Sequence, residues 1–363
     1  MKIGIITFHD TTNFGSLLQT TGLFAFLNQH YRSVEVINYQ CEAIVRKELP
    51  MKNINYFNLK DVLKAILIYP PIKRKYKEME RFSNENLNIS KNQYFKENIE
   101  KANEIYDCFV VGSDILWHEN ITEYDSTYFL DFADQNKSKI SYATSLGLDN
   151  EDLTEWQKQM SNKYLSCFNY ISVREPNALN ELKNITNKKI NVVCDPTILI
   201  EKKYWLKFIK NIDNKKYVLI YFRDEKNMVF DFARKISKDK GLKVLFINNG
   251  KENQNIQNIW PKSIEDFLSL IFNAEYIVTA SYHGVIFSLL FNKEFYYFNR
   301  NYKGRMENLI EKSGVKNRNL EFIEYNKNLL EEKIDYDLVN RNIDKFRMES
   351  QKLLLGFIEN EGE

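Results

Sequence analysis

Short β-type runs alternate with helical patterns along almost the whole chain, and that alternation narrows the fold more than any other feature. Strand patterns fall at Lys2–Phe8, Val34–Tyr39, Cys108–Val111, Lys139–Ala143, Tyr170–Val173 and Asn191–Val193. They resume at Tyr217–Phe222, Lys243–Ile247, Tyr276–Thr279 and Phe295–Phe298, with helical stretches such as Ile264–Phe272 between them. Strands separated by helices pair in parallel, with the helices on the faces of the sheet. At 363 residues the chain exceeds one compact core. The reading is therefore two doubly wound α/β domains, 1–205 and 206–330, with the break near residues 200–214. A last helix follows from about Asp335 to Ile358, within a C-terminal segment 331–363. Residues 48–105 are Lys/Asn-rich and weakly periodic, with a Pro70-Pro71 break, and read as a helical excursion of the first domain. There are no repeats and no low-complexity linker.

Charge and cysteine usage exclude several classes. Lys and Arg total 51 against 49 Asp and Glu, a net +2 that offers no bulk electrostatic reason to bind nucleic acid. Cys41, Cys108, Cys167 and Cys194 are far apart and lack metal or disulfide spacing, so they read as reduced, buried thiols. The first residues form a strand pattern rather than a leader, and no window approaches the roughly 18 apolar residues of a membrane span. The expectation is a soluble, cytoplasmic protein. Lys73-Arg-Lys-Tyr-Lys77 is either a solvated helix face or a peripheral contact with an anionic membrane.

In open parallel sheets ligands collect beyond the carboxyl ends of the strands, so the strand-to-helix turns are where chemistry is sought. His9-Asp-Thr-Thr-Asn-Phe-Gly15 follows the first strand; Thr12 or Asn13 can cap the next helix, and Gly15 permits close approach of an anion to its N–H groups. An ordinary capped turn is the alternative, and no G-x-G-x-x-G is present. Gly112-Ser113-Asp114 ends another strand, with Asp114 either capping a helix or holding a substrate hydroxyl. Trp117, close by, is a sugar-stacking ring or core. Arg174 ends the Tyr170–Val173 strand, just before Pro176 opens a helix, and its fork suits a carboxylate or phosphate unless an acid already pairs it. Last comes Thr279-Ala-Ser281-Tyr282-His283-Gly284, which sets one of only four histidines beside the positive end of a helix dipole. That histidine is a ligand group, a capping group or a core-facing one. H-E-x-x-H, G-x-S-x-G and P-loop patterns are absent.

Six stretches in order resemble the polysaccharide pyruvyl transferase family: "KIGIITFHDTTNFGSLLQT", "FVVGSDILW", "KISYATSLG", "ISVRE", "VVCDPTIL" and "SIEDFLSLIFNAEYIVTASYHGVIFSLLFNKEF". The resemblance implies a GT-B-like architecture, two Rossmann-like domains facing across a cleft with the terminal helix crossing back to the first. It implies transfer of pyruvate from phosphoenolpyruvate onto two hydroxyls of a sugar, lipid-linked or nucleotide-linked, as a cyclic ketal, with no metal or organic cofactor. It places His283 as acid or phosphate ligand and Arg174 beside it as catalytic groups, with Asn13, Gly15, Gly112, Ser113, Asp114, Ser281, Tyr282, Gly284 and Arg305 around the substrates. The chain departs from the family in having Ser281 where some members carry arginine, Ala280 for aspartate and Ile115 for glutamine, and Arg305 is the candidate for the missing cation. A GT-B glycosyltransferase using a nucleotide sugar and a non-catalytic glycan- or phosphate-binding relative are the competing readings.

Overall fold

The computed structural model describes residues 1–48, 63, 69–148, 152–210, 216–222, 227–248, 256–299 and 303–359. The chain divides into two compact units, Met1–Ile200 with Phe346–Glu363, and Glu201–Lys345.

The first unit is built on a seven-stranded sheet whose strands all run parallel, in the order β3-β2-β1-β4-β5-β6-β7. These are β1 (Ile3–Ile6), β2 (Val34–Tyr39), β3 (Ile89–Tyr94), β4 (Cys108–Asp114), β5 (Ser138–Thr144), β6 (Tyr170–Val173) and β7 (Ile190–Val192). β1 and β5 are buried at every residue, as expected of central parallel strands covered on both faces. Helix α1 (Phe14–His30) follows β1, with Asn13 as its N-cap. It lies so close to the helix at Pro196–Leu199 that a Cβ on Gly22 would sit 2.4 Å from the carbonyl oxygen of Pro196. The second unit has a five-stranded parallel sheet, β10-β9-β8-β11-β12, from β8 (Tyr217–Tyr221), β9 (Lys243–Ile247), β10 (Gln257–Ile259), β11 (Tyr276–Thr279) and β12 (Glu294–Tyr297). In each sheet the strand order reverses, between β1 and β4 and between β8 and β11, which is where a crevice opens at the strand ends.

The terminal helix runs from Tyr336 to Glu359, and its later part belongs to the first unit. There Arg347 Nε donates to Ile198 O and Gln351 Nε2 to Leu199 O, both at 2.7 Å, while Ser350 Oγ accepts from Cys194 N at 2.9 Å. The rings of Phe357 and Tyr170 stack at 4.5 Å.

Several expectations need correction. Residues 48–105 are not a purely helical excursion. Residues 49–62 and 64–68 lie outside the described residues, but Tyr69–Asn86 is helix α2 and Ile89–Tyr94 is the edge strand β3. Most of β3 is polar and solvent-facing, with only Ser90 and Tyr94 buried, so it carries no apolar alternation to read. Pro70 and Pro71 do not break the helix; they sit in its first turn, where no intrahelical N–H is needed. β10 was likewise unforeseen, a three-residue edge strand. Cys167 is exposed, unlike the other three thiols. Lys73, Arg74 and Lys77 are exposed on α2, and Lys75 Nζ lies 3.9 Å over the Phe14 ring. No described helix is long and apolar enough to cross a membrane.

Gly22→Ala tests the close approach of α1. Alanine favours a helix by about 1 kcal/mol over glycine, but overpacking against a fixed carbonyl costs about 1–3 kcal/mol. Urea denaturation should show net destabilisation; a more stable variant would mean α1 is not held at that distance.

Candidate functional site

In the second unit the chain leaves β11 through a turn fixed by hydroxyls. Thr279 Oγ1 donates to Tyr221 O at 2.6 Å and accepts from Ser281 N at 3.0 Å. Ser281, with extended φ −90° and ψ 128°, is the N-cap of helix α3 (Tyr282–Leu290), and its Oγ accepts from Gly284 N at 3.3 Å. His283 is thus the second helical residue, partly exposed, among N–H groups that have no intrahelical acceptor. Gly284 has a steric reason to be glycine: a Cβ there would lie 2.5 Å from Thr279 Oγ1 and 3.1 Å from the Tyr221 ring. The first turn of α3 contains no acid. Helix α4 (Lys303–Ser313) brings Arg305, whose guanidinium carbon is 5.2 Å from the centre of the Tyr282 ring; that ring meets His283 edge-on at 5.5 Å. Ser281, Tyr282, His283, Gly284 and Arg305 therefore share one locus at the strand-order reversal, where the helix dipole and a guanidinium give positive potential.

The first unit gathers the remaining candidates, in roles that differ from those expected. Asn13 Oδ1 accepts from Gly15 N at 3.0 Å, so Asn13 rather than Thr12 caps α1. The Thr11 and Thr12 hydroxyls both donate to Glu48 Oε2. Gly112 is buried, and a Cβ would meet Leu23 at 2.2 Å, which makes it a packing glycine. Ser113 is buried too, its carbonyl accepting from Thr7 Oγ1 at 3.1 Å. Asp114 caps no helix. It ends β4 at φ +83°, with Oδ1 accepting from Ile115 N and Oδ2 from Ser16 Oγ. Trp117 is core, stacked on Phe129 at 5.1 Å with Nε1 donating to Tyr128 O.

Arg174 is the main correction. It is 1% exposed, not open to ligand, and its Nη1 donates to Asp195 Oδ2 at 2.9 Å, with Ser113 Oγ at 3.5 Å and Glu175 Oε2 3.8 Å from Nε. The physical reason is charge balance. Asp195 and Glu175 are themselves buried, and a guanidinium beside them offsets the cost of removing carboxylates from water. Asp195 Oδ1 is meanwhile engaged by the Thr197 N–H and hydroxyl, and Glu175 Oε1 by Ser145 Oγ and Leu146 N.

Sequence reasoning gave no role to Gln19, although the motif holding it was noticed. It is 1% exposed, donates through Nε2 to Thr7 Oγ1 at 3.2 Å, and its Oε1 is buried without a hydrogen-bond donor.

A family model described as polysaccharide pyruvyl transferase matches residues 13–302. The chain belongs to that family. A search of curated protein sequences finds no significant match. Solved structures share the fold at low identity. The UDP-GlcNAc 2-epimerase of Methanocaldococcus jannaschii, in complex with UDP-GlcNAc and UDP, is 16% identical with a TM-score of 0.53, covering 99% of this chain and 100% of that one. The Neisseria meningitidis UDP-GlcNAc 2-epimerase bound to UDP-GlcNAc is 13% identical with a TM-score of 0.53, at 99% and 100% coverage. The Rickettsia bellii UDP-N-acetylglucosamine 2-epimerase is 9% identical with a TM-score of 0.54, at 99% and 96%. As a member of the pyruvyl transferase family, the chain keeps the α/β architecture of parallel sheets that these structures share.

Arg174→Met should cost about 3–5 kcal/mol by leaving buried acids without their counter-charge, and adding Asp195→Asn should recover part of the loss. Chemical denaturation of the two variants reads both numbers. A single variant as stable as the parent would return Arg174 to the ligand-binding groups.

Proposed function

We propose that this chain is a ketal transferase that moves pyruvate from phosphoenolpyruvate onto two hydroxyls of one sugar, in the assembly of a cell-surface glycan. The family match over residues 13–302 supports the reaction class. The observation that carries the donor is the His283 turn: a dianionic phosphate and a carboxylate need N–H groups and cations, and the start of α3 with Arg305 beside it supplies both. Ser281 is occupied as the helix cap, so in this reading Arg305 takes over the work of the arginine that some members carry at that position.

The chemistry balances with protein groups as proton donors and acceptors. His283 gives a proton to the enol methylene, which becomes the methyl group, and the adjacent carbon turns electrophilic. The first sugar hydroxyl adds to that carbon. The bond from carbon to the phosphate oxygen then breaks, phosphate leaving with the electron pair, and the second hydroxyl adds to close the ring. Of the two hydroxyl protons, one replaces that given by His283 and the other leaves on phosphate. One phosphoenolpyruvate and two hydroxyls yield one ketal and one inorganic phosphate.

The test is mass spectrometry of lipid-linked and nucleotide-linked sugars incubated with enzyme and phosphoenolpyruvate, together with phosphate release. A mass gain of pyruvic acid less water, matched by phosphate, is the expected result. Transfer from a nucleotide sugar instead would make the chain a glycosyltransferase, and phosphoenolpyruvate binding without turnover would make it a binding protein. His283→Ala should lower kcat by about 10²–10⁴ with little change in melting temperature, because the residue sits partly exposed in the first turn of a helix. Arg305→Ala should chiefly raise the KM for phosphoenolpyruvate, by about tenfold for a lost charge-assisted contact. Loss of stability with turnover per folded molecule intact would reduce the turn to a capping motif.

A further inference from the structure

A cavity of about 240 Å³ lies in the first unit, where α2 passes over the ends of β1, β2 and β3. Its wall includes His9, Asp10, Asn38, Gln40, Tyr76 and Gln93. We propose that this cavity is a saccharide subsite that takes one uncharged, hydroxyl-rich sugar ring.

Charge selects the class of ligand. Asp10 and Glu80 line the cavity, and no lysine or arginine is among the described residues around it, so phosphate, phosphoenolpyruvate and nucleotide diphosphates are repelled. Most of the other groups are planar amides, an imidazole and hydroxyls, which together donate and accept as sugar hydroxyls require. Several are held in place. Gln40 Nε2 donates to Asn38 Oδ1 at 2.9 Å, the same oxygen lies 3.3 Å from His9 Nε2, and His9 Nδ1 lies 3.3 Å from Thr7 O. Tyr76 stays a phenol, because burial and then the Asp10 and Glu80 charges raise its pKa, and its hydroxyl donates to Glu80 Oε1 at 3.5 Å. Met79 and Ile89 give an apolar patch for the carbon face of a ring. The volume falls below the roughly 300–1,000 Å³ of clefts that enclose drug-sized ligands, so it suits a single ring and not a nucleotide sugar.

The inference rests on the proposed function only in expecting that ring to belong to the acceptor glycan. It is tested on the full chain without donor, by calorimetry and saturation-transfer NMR. The probes are the methyl glycosides of galactose, N-acetylglucosamine and N-acetylmannosamine, with phosphoenolpyruvate and inorganic phosphate as anions. Gln93 and Asn84 are exposed at the rim, so substitutions there spare the core. At least one glycoside should bind. Gln93→Ala should weaken it about five- to tenfold, and Asn84→Trp, which fills the mouth, should abolish binding at unchanged melting temperature and unchanged phosphoenolpyruvate affinity. No binding by any glycoside, equal affinity in both variants, or displacement of the glycoside by either anion would overturn the subsite. Sugar binding that persists where no ketal ever forms would sink the proposed function and leave the subsite standing. Ketal formation with an unaltered acceptor KM in Asn84→Trp would do the reverse.

Discussion

The buried pair of Arg174 and Asp195 is the interaction on which the first unit turns. Asp195 uses one oxygen to hold the guanidinium and the other to start the Pro196–Leu199 helix. That short helix is a junction. Its first carbonyl meets α1 at Gly22, and its last two groups accept from Arg347 and Gln351 of the terminal helix. Two carboxylates next to an arginine in the interior are costly to desolvate and useful only when every lone pair is engaged. Here Ser145 and Leu146 engage one oxygen of Glu175 and Thr197 one of Asp195, while the other Glu175 oxygen meets the guanidinium only at 3.8 Å.

The second unit solves a different problem, that of bringing a helix start close over a strand end. Thr279 turns the chain by bonding to its neighbour strand, Ser281 caps the helix, and Gly284 leaves no side chain to hold α3 away from β8. The result presents helix N–H groups and an imidazole at the point where the sheet order reverses. An arginine on the following helix, Lys303–Ser313, lies over the Tyr282 ring, which in turn meets His283 edge-on.

The sequence made these strands legible because β-branched, aromatic and other apolar residues dominate each of them; Val34–Tyr39, Tyr170–Val173, Lys243–Ile247 and Tyr276–Thr279 were read with their observed limits. Turns were legible where one residue does a local job, as Asn13, one of two capping candidates, does at the start of α1; the capping by Ser281 was not read. Of the edge strands β7 and β12 were found but β3 and β10 were not; β3 shows water most of its side chains and owes its state to pairing with β2. The cavity beneath α2 was invisible for the same reason. Arg174 shows the other limit: its place at a strand end was plain, but whether it turned toward solvent or toward Asp195 depends on a residue 21 positions later. Gly112 was likewise assigned to ligand, and Trp117 left open between ligand and core, when their partners, Leu23 and Phe129, lay elsewhere in the chain.

The path of the chain through its two units carries a consequence for synthesis. The first unit is left at Ile200 and rejoined only at Phe346, with the whole second unit made in between. As the chain emerges from a ribosome, β1 to β7 are complete long before the segment that accepts from Cys194 N and donates to Ile198 O and Leu199 O exists. Domains tend to fold as they emerge, amino end first, but this one must wait with a seam of backbone groups open to water until the segment from Phe346 onward has been made. The segment that closes the first domain is therefore made only after the whole of the second unit.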